Sequence, residues 1–119
     1  MTQAQIDDVL LVLTNLPDRD TALKLASTAI EEKVAACVNV LGACASVYRW
    51  HGKVEHAEEI PLLIKTTAAR YGALEALIRR LHPYELPEII AVPVARGLPG
   101  YLQWVAQETQ YTPDVKGRT

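Results

Sequence analysis

His82-Pro83-Tyr84-Glu85-Leu86-Pro87-Glu88 gathers an imidazole, a phenol and two carboxylates within seven residues. A neutral imidazole is a good ligand for Cu2+ or Zn2+, and a carboxylate beside it adds an oxygen donor. His82, Glu88 and Glu85 are therefore the candidate metal ligands. Glu85 and Glu88 lie three residues apart, so a regular strand would point them to opposite faces. Both reach His82 only if Pro87 bends the chain. His82 has a second reading, as a helix C-terminal histidine whose cationic form suits the dipole, and Glu85 has one as a solvated surface group. Each proline fixes its own φ and biases the preceding residue toward extended geometry, which stiffens the motif.

Lys65 follows Leu62-Leu63-Ile64, and lysine is seldom buried without a partner. One explanation is a carboxylate, from Glu59, Glu88 or a neighbouring subunit. The other is a small anionic ligand in a cleft, with Tyr84, Trp50 and Trp104, and also Tyr48, along its walls. Aromatics on extended arms equally serve as subunit-interface anchors. His51 and His56 read as exposed, and Glu55, Glu58 and Glu59 as a solvated acidic face able to collect stray cations.

These groups need elements to hold them. Val9-Leu10-Leu11-Val12-Leu13 reads as a strand buried on both faces. Asp18 is placed to cap a helix that runs to residue 34, with Ala22, Ala26, Ala29 and Ile30 on one side. Residues 35–50 are extended, with a bend or bulge expected at Gly42. His51-Gly52 is a hairpin turn into a second extended arm, 53–67. Pro61 cannot donate to a ladder, so a bulge or an unpaired edge is expected near 58–61. Thr67 can cap a helix in which Leu74, Leu77, Ile78 and Leu81 recur at helical spacing, and His82-Pro83 stops it. Residues 86–95 read as a fourth strand. Pro99 then starts a short helix over 101–109, and residues 1–7 and 111–119 are expected to fray.

The order is β-α-β-β-α-β plus a C-terminal helix, an α+β, ferredoxin-like arrangement with a long hairpin between the second and third strands. Helices on one face leave the other bare. Leu10, Val12, Leu62 and Ile64, or their neighbours of opposite parity, would then form an apolar patch that invites association.

The 119 residues make one domain, half of them apolar and none a phenylalanine. Net charge is −2 and no basic cluster appears, which argues against a nucleic-acid partner. The N-terminus lacks the basic and apolar regions of a signal peptide, and no apolar run approaches the roughly 20 residues of a membrane span. The expectation is a soluble, cytoplasmic protein with no membrane partner. Cys37 and Cys44, if on one regular strand, would lie about 23 Å apart on opposite faces. They are read as free thiols, with Cys37 as a small core residue. No Ser/His/Asp spacing, phosphate loop or Cys-x-x-Cys pair appears, so the chain is read as a non-enzyme.

The chain resembles the CutA divalent-cation tolerance family over nearly its whole length. The segments that carry the resemblance are Val12-Leu13-Thr14-Asn15-Leu16-Pro17-Asp18, Ala35-Ala36-Cys37-Val38-Asn39, Ser46-Val47-Tyr48-Arg49-Trp50-His51-Gly52-Lys53, Leu63-Ile64-Lys65-Thr66, the His82–Glu88 motif and Tyr101-Leu102-Gln103-Trp104. The resemblance implies a homotrimer shaped like the PII signalling proteins, with the long hairpin reaching across to neighbours. It implies Cu2+ or another divalent cation as the bound ion, with no organic cofactor. The copper ligands proposed in that family are a cysteine at the end of the first strand, the histidine of His-Pro-Tyr and the glutamate of Pro-Glu. The last two positions are His82 and Glu88 here, and Thr14 stands at the first. A hydroxyl is a poor ligand for a soft metal. The functional expectation is weak divalent-metal binding that contributes to metal tolerance. The alternatives are a PII-like sensor of a small anion in an intersubunit cleft near Lys65, and a trimeric scaffold.

Overall fold

A computed structural model of the chain describes residues 8–111. The expected fraying of 1–7 and 111–119 falls outside that range except at Tyr111. That residue is tied to the body by the Arg70 guanidinium, 5.2 Å from its ring centroid.

Five strands and three helices follow one another: β1 (Val9–Leu16), α1 (Arg19–Glu31), β2 (Cys37–Val40), β3 (Cys44–Trp50), β4 (Lys53–Thr67), α2 (Ala68–Leu81), β5 (Ile90–Pro93) and α3 (Pro99–Glu108). The main sheet runs β2-β4-β1-β5, with β3 on the other half of β4, and every pairing is antiparallel. β1 and β2 both run opposite to β4, so the α1 crossover joins two parallel strands with β4 between them. The same logic holds for β4 and β5 about β1. This is the ferredoxin-like plan.

Local chemistry accounts for several boundaries. Asp18 caps α1 by accepting from the Thr21 N–H at 2.8 Å. Lys33, at φ 59°, turns the chain out of that helix before residue 34. His51 and Gly52 both have positive φ, 51° and 81°, as a two-residue hairpin of right-handed twist requires. Thr67 stands at the N-cap of α2 but its side chain makes no cap bond.

Two expectations are corrected. Residues 35–50 are not one strand, because Leu41-Gly42-Ala43 separates β2 from β3. The cause lies opposite, at Pro61. Its carbonyl accepts from the Leu41 N–H at 3.0 Å, so its missing N–H faces the same edge and meets the break. β4 stays unbroken and the unpaired stretch falls on its partner. β5 is also shorter than 86–95. It keeps only Ile90–Pro93, and the loop before it is held to β1 by the Asn15 side chain on Glu88 rather than by a ladder.

Parity decides what each face buries. Val12 and Leu16 of β1 and Leu62 and Ile64 of β4 point at the two helices, against Leu25 and Ala29 of α1 and Leu74, Leu77 and Ile78 of α2. All are essentially inaccessible, and each such aliphatic side chain contributes about 1.5–3 kcal/mol. The opposite face carries Leu11, Leu13, Leu63 and Lys65, with Cys37 and Asn39 in register beside them. α3 packs on β4 and β1, and its Val105 is fully buried although it lies outside the main core. The bare face foreseen from the sequence is thus half roofed by α3. Ile90 and Val92 of β5 remain about half exposed on it.

Candidate functional site

The carbonyl of Asn15 meets no β5 partner, because β5 begins opposite Leu13. His82 supplies the missing donor. It is the C-cap of α2, its side chain is 7% exposed, and Nε2–H donates to the Asn15 carbonyl at 2.6 Å. Nδ1 accepts the Tyr84 backbone N–H at 3.2 Å, which places the ring proton on Nε2. Both ring nitrogens are therefore engaged. The Asn15 side chain reaches the other way and donates Nδ2–H to Glu88 Oε1 at 3.1 Å. One residue at the end of β1 thus holds both His82 and Glu88.

Tyr84 stacks at a tilt on the His82 ring, centroids 4.7 Å apart, and its hydroxyl donates to Glu59 Oε2 at 3.1 Å. Burial raises the Tyr84 phenol to about 12, with the Glu59 hydrogen bond and negative charge adding to it. Glu59 is only 8% exposed, which corrects its reading as part of a solvated acidic face; Glu58 is exposed as expected, and so are His51 and His56.

The loop 82–89 and the β3–β4 hairpin enclose a cleft of about 770 Å³. Glu59, Glu85 and Glu88 line it with Tyr48, Trp50 and Tyr84, and among the described residues no lysine, arginine or histidine does. His82 lies behind this wall. Among the described residues no three His, Cys, Asp or Glu side chains come together as a ready metal cage. Thr14 is 1% exposed on the helix-facing side of β1, and its hydroxyl has no hydrogen-bond partner among the described residues.

The cleft foreseen around Lys65 divides in two. Trp50 and Tyr84 belong to the acidic cleft. Lys65 lies on the α3 side of the sheet, where Nζ contacts Asn39 Oδ1 and sits 3.8 Å from Cys37 Sγ. Neither Glu59 nor Glu88 reaches it, which corrects the expectation of those two partners within the chain. Six residues along β4 separate Lys65 from Glu59 by about 20 Å. Trp104 packs on Tyr101, ring centroids 5.6 Å apart. Burial holds the Tyr101 hydroxyl above its ordinary value, and the neighbouring Cys37 adds to that. Cys37 is accordingly a half-buried neighbour of Lys65 rather than a core residue, and both cysteines are free. Sequence reasoning missed Asn15 and the burial of Glu59. The only available signals were the motif that contains Asn15 and the step from Glu59 to apolar Ile60.

Residues 10–108 match the profile of a family described as CutA1 divalent ion tolerance protein. The chain is 40% identical over 99 residues to the divalent-cation tolerance protein CutA of Thermus thermophilus, covering 83% of this chain and 96% of that one. It is 41% identical to human protein CutA over 98 residues, 82% of this chain but only 55% of the human protein. Among solved structures, CutA from Xylella fastidiosa superposes with a TM-score of 0.84 at 45% identity, covering 87% of this chain and 99% of that one. An Archaeoglobus fulgidus structure described as a periplasmic divalent cation tolerance protein CutA gives 0.83 at 29% identity, covering 86% and 99%. No helix among the described residues is long and apolar enough to cross a membrane.

Proposed function

Because the chain belongs to the CutA1 divalent ion tolerance family, we propose that it contributes to divalent-cation tolerance by binding a metal ion weakly in the acidic cleft, without catalysis. The observation that carries this reading is Asn15. It holds Glu88 with its amide and His82 with its carbonyl, so the two ligand positions meet at one residue. Glu88 and Glu85 would supply oxygen, and His82 would coordinate through Nδ1 only by giving up the Tyr84 N–H bond there, since Nε2 is committed to the shorter bond. This donor set lacks a thiolate. Thr14 turns its hydroxyl toward the helices, so the set fits a loosely held divalent ion, copper included, better than a tight copper site.

The same reading includes a homotrimer. Ile90 and Val92 on β5, with Tyr101 and Trp104 on α3, offer an apolar surface for a second copy. The hairpin arm adds Val47 and Val54, each more than half exposed. A cytoplasmic location suits free Cys37 and Cys44. A second reading, an anion sensor at Lys65, is favoured by one observation: among the described residues, the polar partners of that ammonium are Asn39 and Cys37 and no carboxylate.

Calorimetric titration of chelator-stripped protein with Cu2+ and Zn2+ tests the metal reading. One weakly bound ion per chain, lost in His82→Ala and in Glu88→Gln, is the expected result. Binding that is absent, or unchanged in both variants, removes the site.

A further inference from the structure

We propose that Cys37 and Lys65 form a self-acylation site, in which Cys37 takes an acyl group from a small acyl thioester and hands it to Lys65 as an amide. The two are ladder partners, Cys37 on β2 and Lys65 on β4, so backbone register sets their side chains opposite each other on one face. Lys65 Nζ donates toward Cys37 Sγ, 3.8 Å away. It also donates to the amide oxygen of Asn39, two residues along the same face of β2, which holds the nitrogen beside the sulfur. Among the described residues no carboxylate pairs with this ammonium. A free thiol and an amine in that contact are a nucleophile and an acceptor for the same group. Cys37 stands on the sheet edge opposite β5, away from the strand offered to a second copy.

The thiolate is the attacking form of cysteine. Cys37 Sγ, its proton given to water, attacks the carbonyl carbon of the thioester. The new S–C bond forms as the old one breaks, and the departing thiolate takes up a proton. Lys65 gives one proton to water, and Nζ attacks the same carbon. The N–C bond forms, the Cys37 S–C bond breaks, the nitrogen sheds its extra proton and Cys37 recovers its thiol. The sum is one acyl thioester and one amine converted to one amide and one free thiol, with no change of oxidation state. Proximity supplies the rate. The acyl carbon is one bond from Sγ, so rotation about Cβ–Sγ can bring it to a reacting separation of about 3–3.5 Å from Nζ. Tyr101 adds a hydrogen-bond donor. Burial first, and the nearby Cys37 second, hold its hydroxyl above its ordinary value, so it stays protonated at neutral pH beside the sulfur, where it can serve the carbonyl oxygen as charge gathers there. The pair lies about 20 Å along β4 from Glu59, so the inference does not depend on the metal reading. Acylation would remove the charge on which the anion reading rests, but the transfer itself needs neither reading.

The test is incubation of the full chain with acetyl-coenzyme A at neutral pH, followed by peptide mass spectrometry, beside Cys37→Ala and Lys65→Arg. Lys24 and Lys53 are exposed and serve as internal references. Half-buried Lys65 should acquire the acetyl group about tenfold faster than either, or more, and should fall to their rate or below it in Cys37→Ala. Lys65→Arg should retain the acetyl group on Cys37, as a thioester that hydroxylamine removes. No preference for Lys65, an unchanged rate at Lys65 in Cys37→Ala, or no thioester on Cys37 in Lys65→Arg would overturn the proposal. If Cys37→Ala loses its far-ultraviolet dichroism, Cys37→Ser replaces it, because a hydroxyl keeps the size but not the reactivity of a thiolate. The same loss at Lys65 is then expected, and an unchanged rate counts against the proposal.

Discussion

Replacing His82 tests whether it is a structural fastener or a surface histidine. The side chain is 7% exposed and makes two hydrogen bonds, to the Asn15 carbonyl at 2.6 Å and from the Tyr84 N–H at 3.2 Å. Alanine removes both and the ring. A neutral hydrogen bond contributes a net of about 1 kcal/mol, and a half-buried carbonyl left unpaired costs about 1–3 kcal/mol, so His82→Ala should cost about 3 kcal/mol. Glutamine can place an N–H near the position of Nε2 and keep the bond to Asn15, for a cost of about 1 kcal/mol. Asparagine can place an oxygen near Nδ1, keep Tyr84 and lose Asn15, for about 2 kcal/mol. Urea unfolding at one protein concentration reads the three midpoints, and the m-value should not change. The expected order of damage is Ala, then Asn, then Gln. A histidine that merely favoured the helix dipole would give three similar losses of less than about 1 kcal/mol. That outcome, or Gln as harmful as Ala, would refute the fastener.

Three further outcomes follow from the same geometry. Thr14→Val replaces an unpartnered buried hydroxyl with a methyl group of like shape, and should raise stability by about 1 kcal/mol in the same assay; a loss would reveal a hidden partner. Tyr84 is raised from 10.0 to about 12 by burial first and Glu59 second, so its contribution to stability is whole below pH 10 and is lost as pH rises through 12. In a spectrophotometric tyrosine titration, Glu59→Gln should bring Tyr84 only part of the way down, and a full return to 10.0 would show that burial is not the main cause. Sedimentation equilibrium should give about three times the 13.1 kDa chain mass, and a monomer at micromolar concentration would defeat the proposed trimer.

Much of the fold was legible because it is written locally. The apolar run of β1, the Asp18 cap, the His51-Gly52 turn and the helical spacing of Leu74, Leu77 and Ile78 each act within a few residues, and each appears in the structure. What was not legible depends on partners distant in the chain. Nothing near Gly42 says that the break there answers Pro61 across the ladder. Glu59 reads as solvated in Glu58-Glu59-Ile60 until Tyr84, 25 residues on, closes over it. Lys65 reads as needing a carboxylate until register sets Cys37 opposite it and Asn39 nearby. Within the motif 82–88, the partner that holds His82 is Asn15, 67 residues away in the chain.

The cleft exists because β4 changes partner. Pro61 has no N–H to give, so β2 stops and β3 starts afresh on the outer half of β4. That leaves the hairpin attached to the main sheet through β4 alone, and the space beside it is closed by the 82–89 loop. Glu59, two residues from Pro61, shares its face by strand parity, and so does Asn15, the Pro61 partner on β1. The proline that breaks the ladder therefore also sets a carboxylate and an amide on one side of the sheet, where the loop can meet them. Continuing along β4 on that same face, Lys65 appears about 20 Å further on. One strand face thus carries an unpaired acid at the cleft and an unpaired base under α3, too far apart to neutralise each other at physiological ionic strength, where charges are screened over about 8 Å.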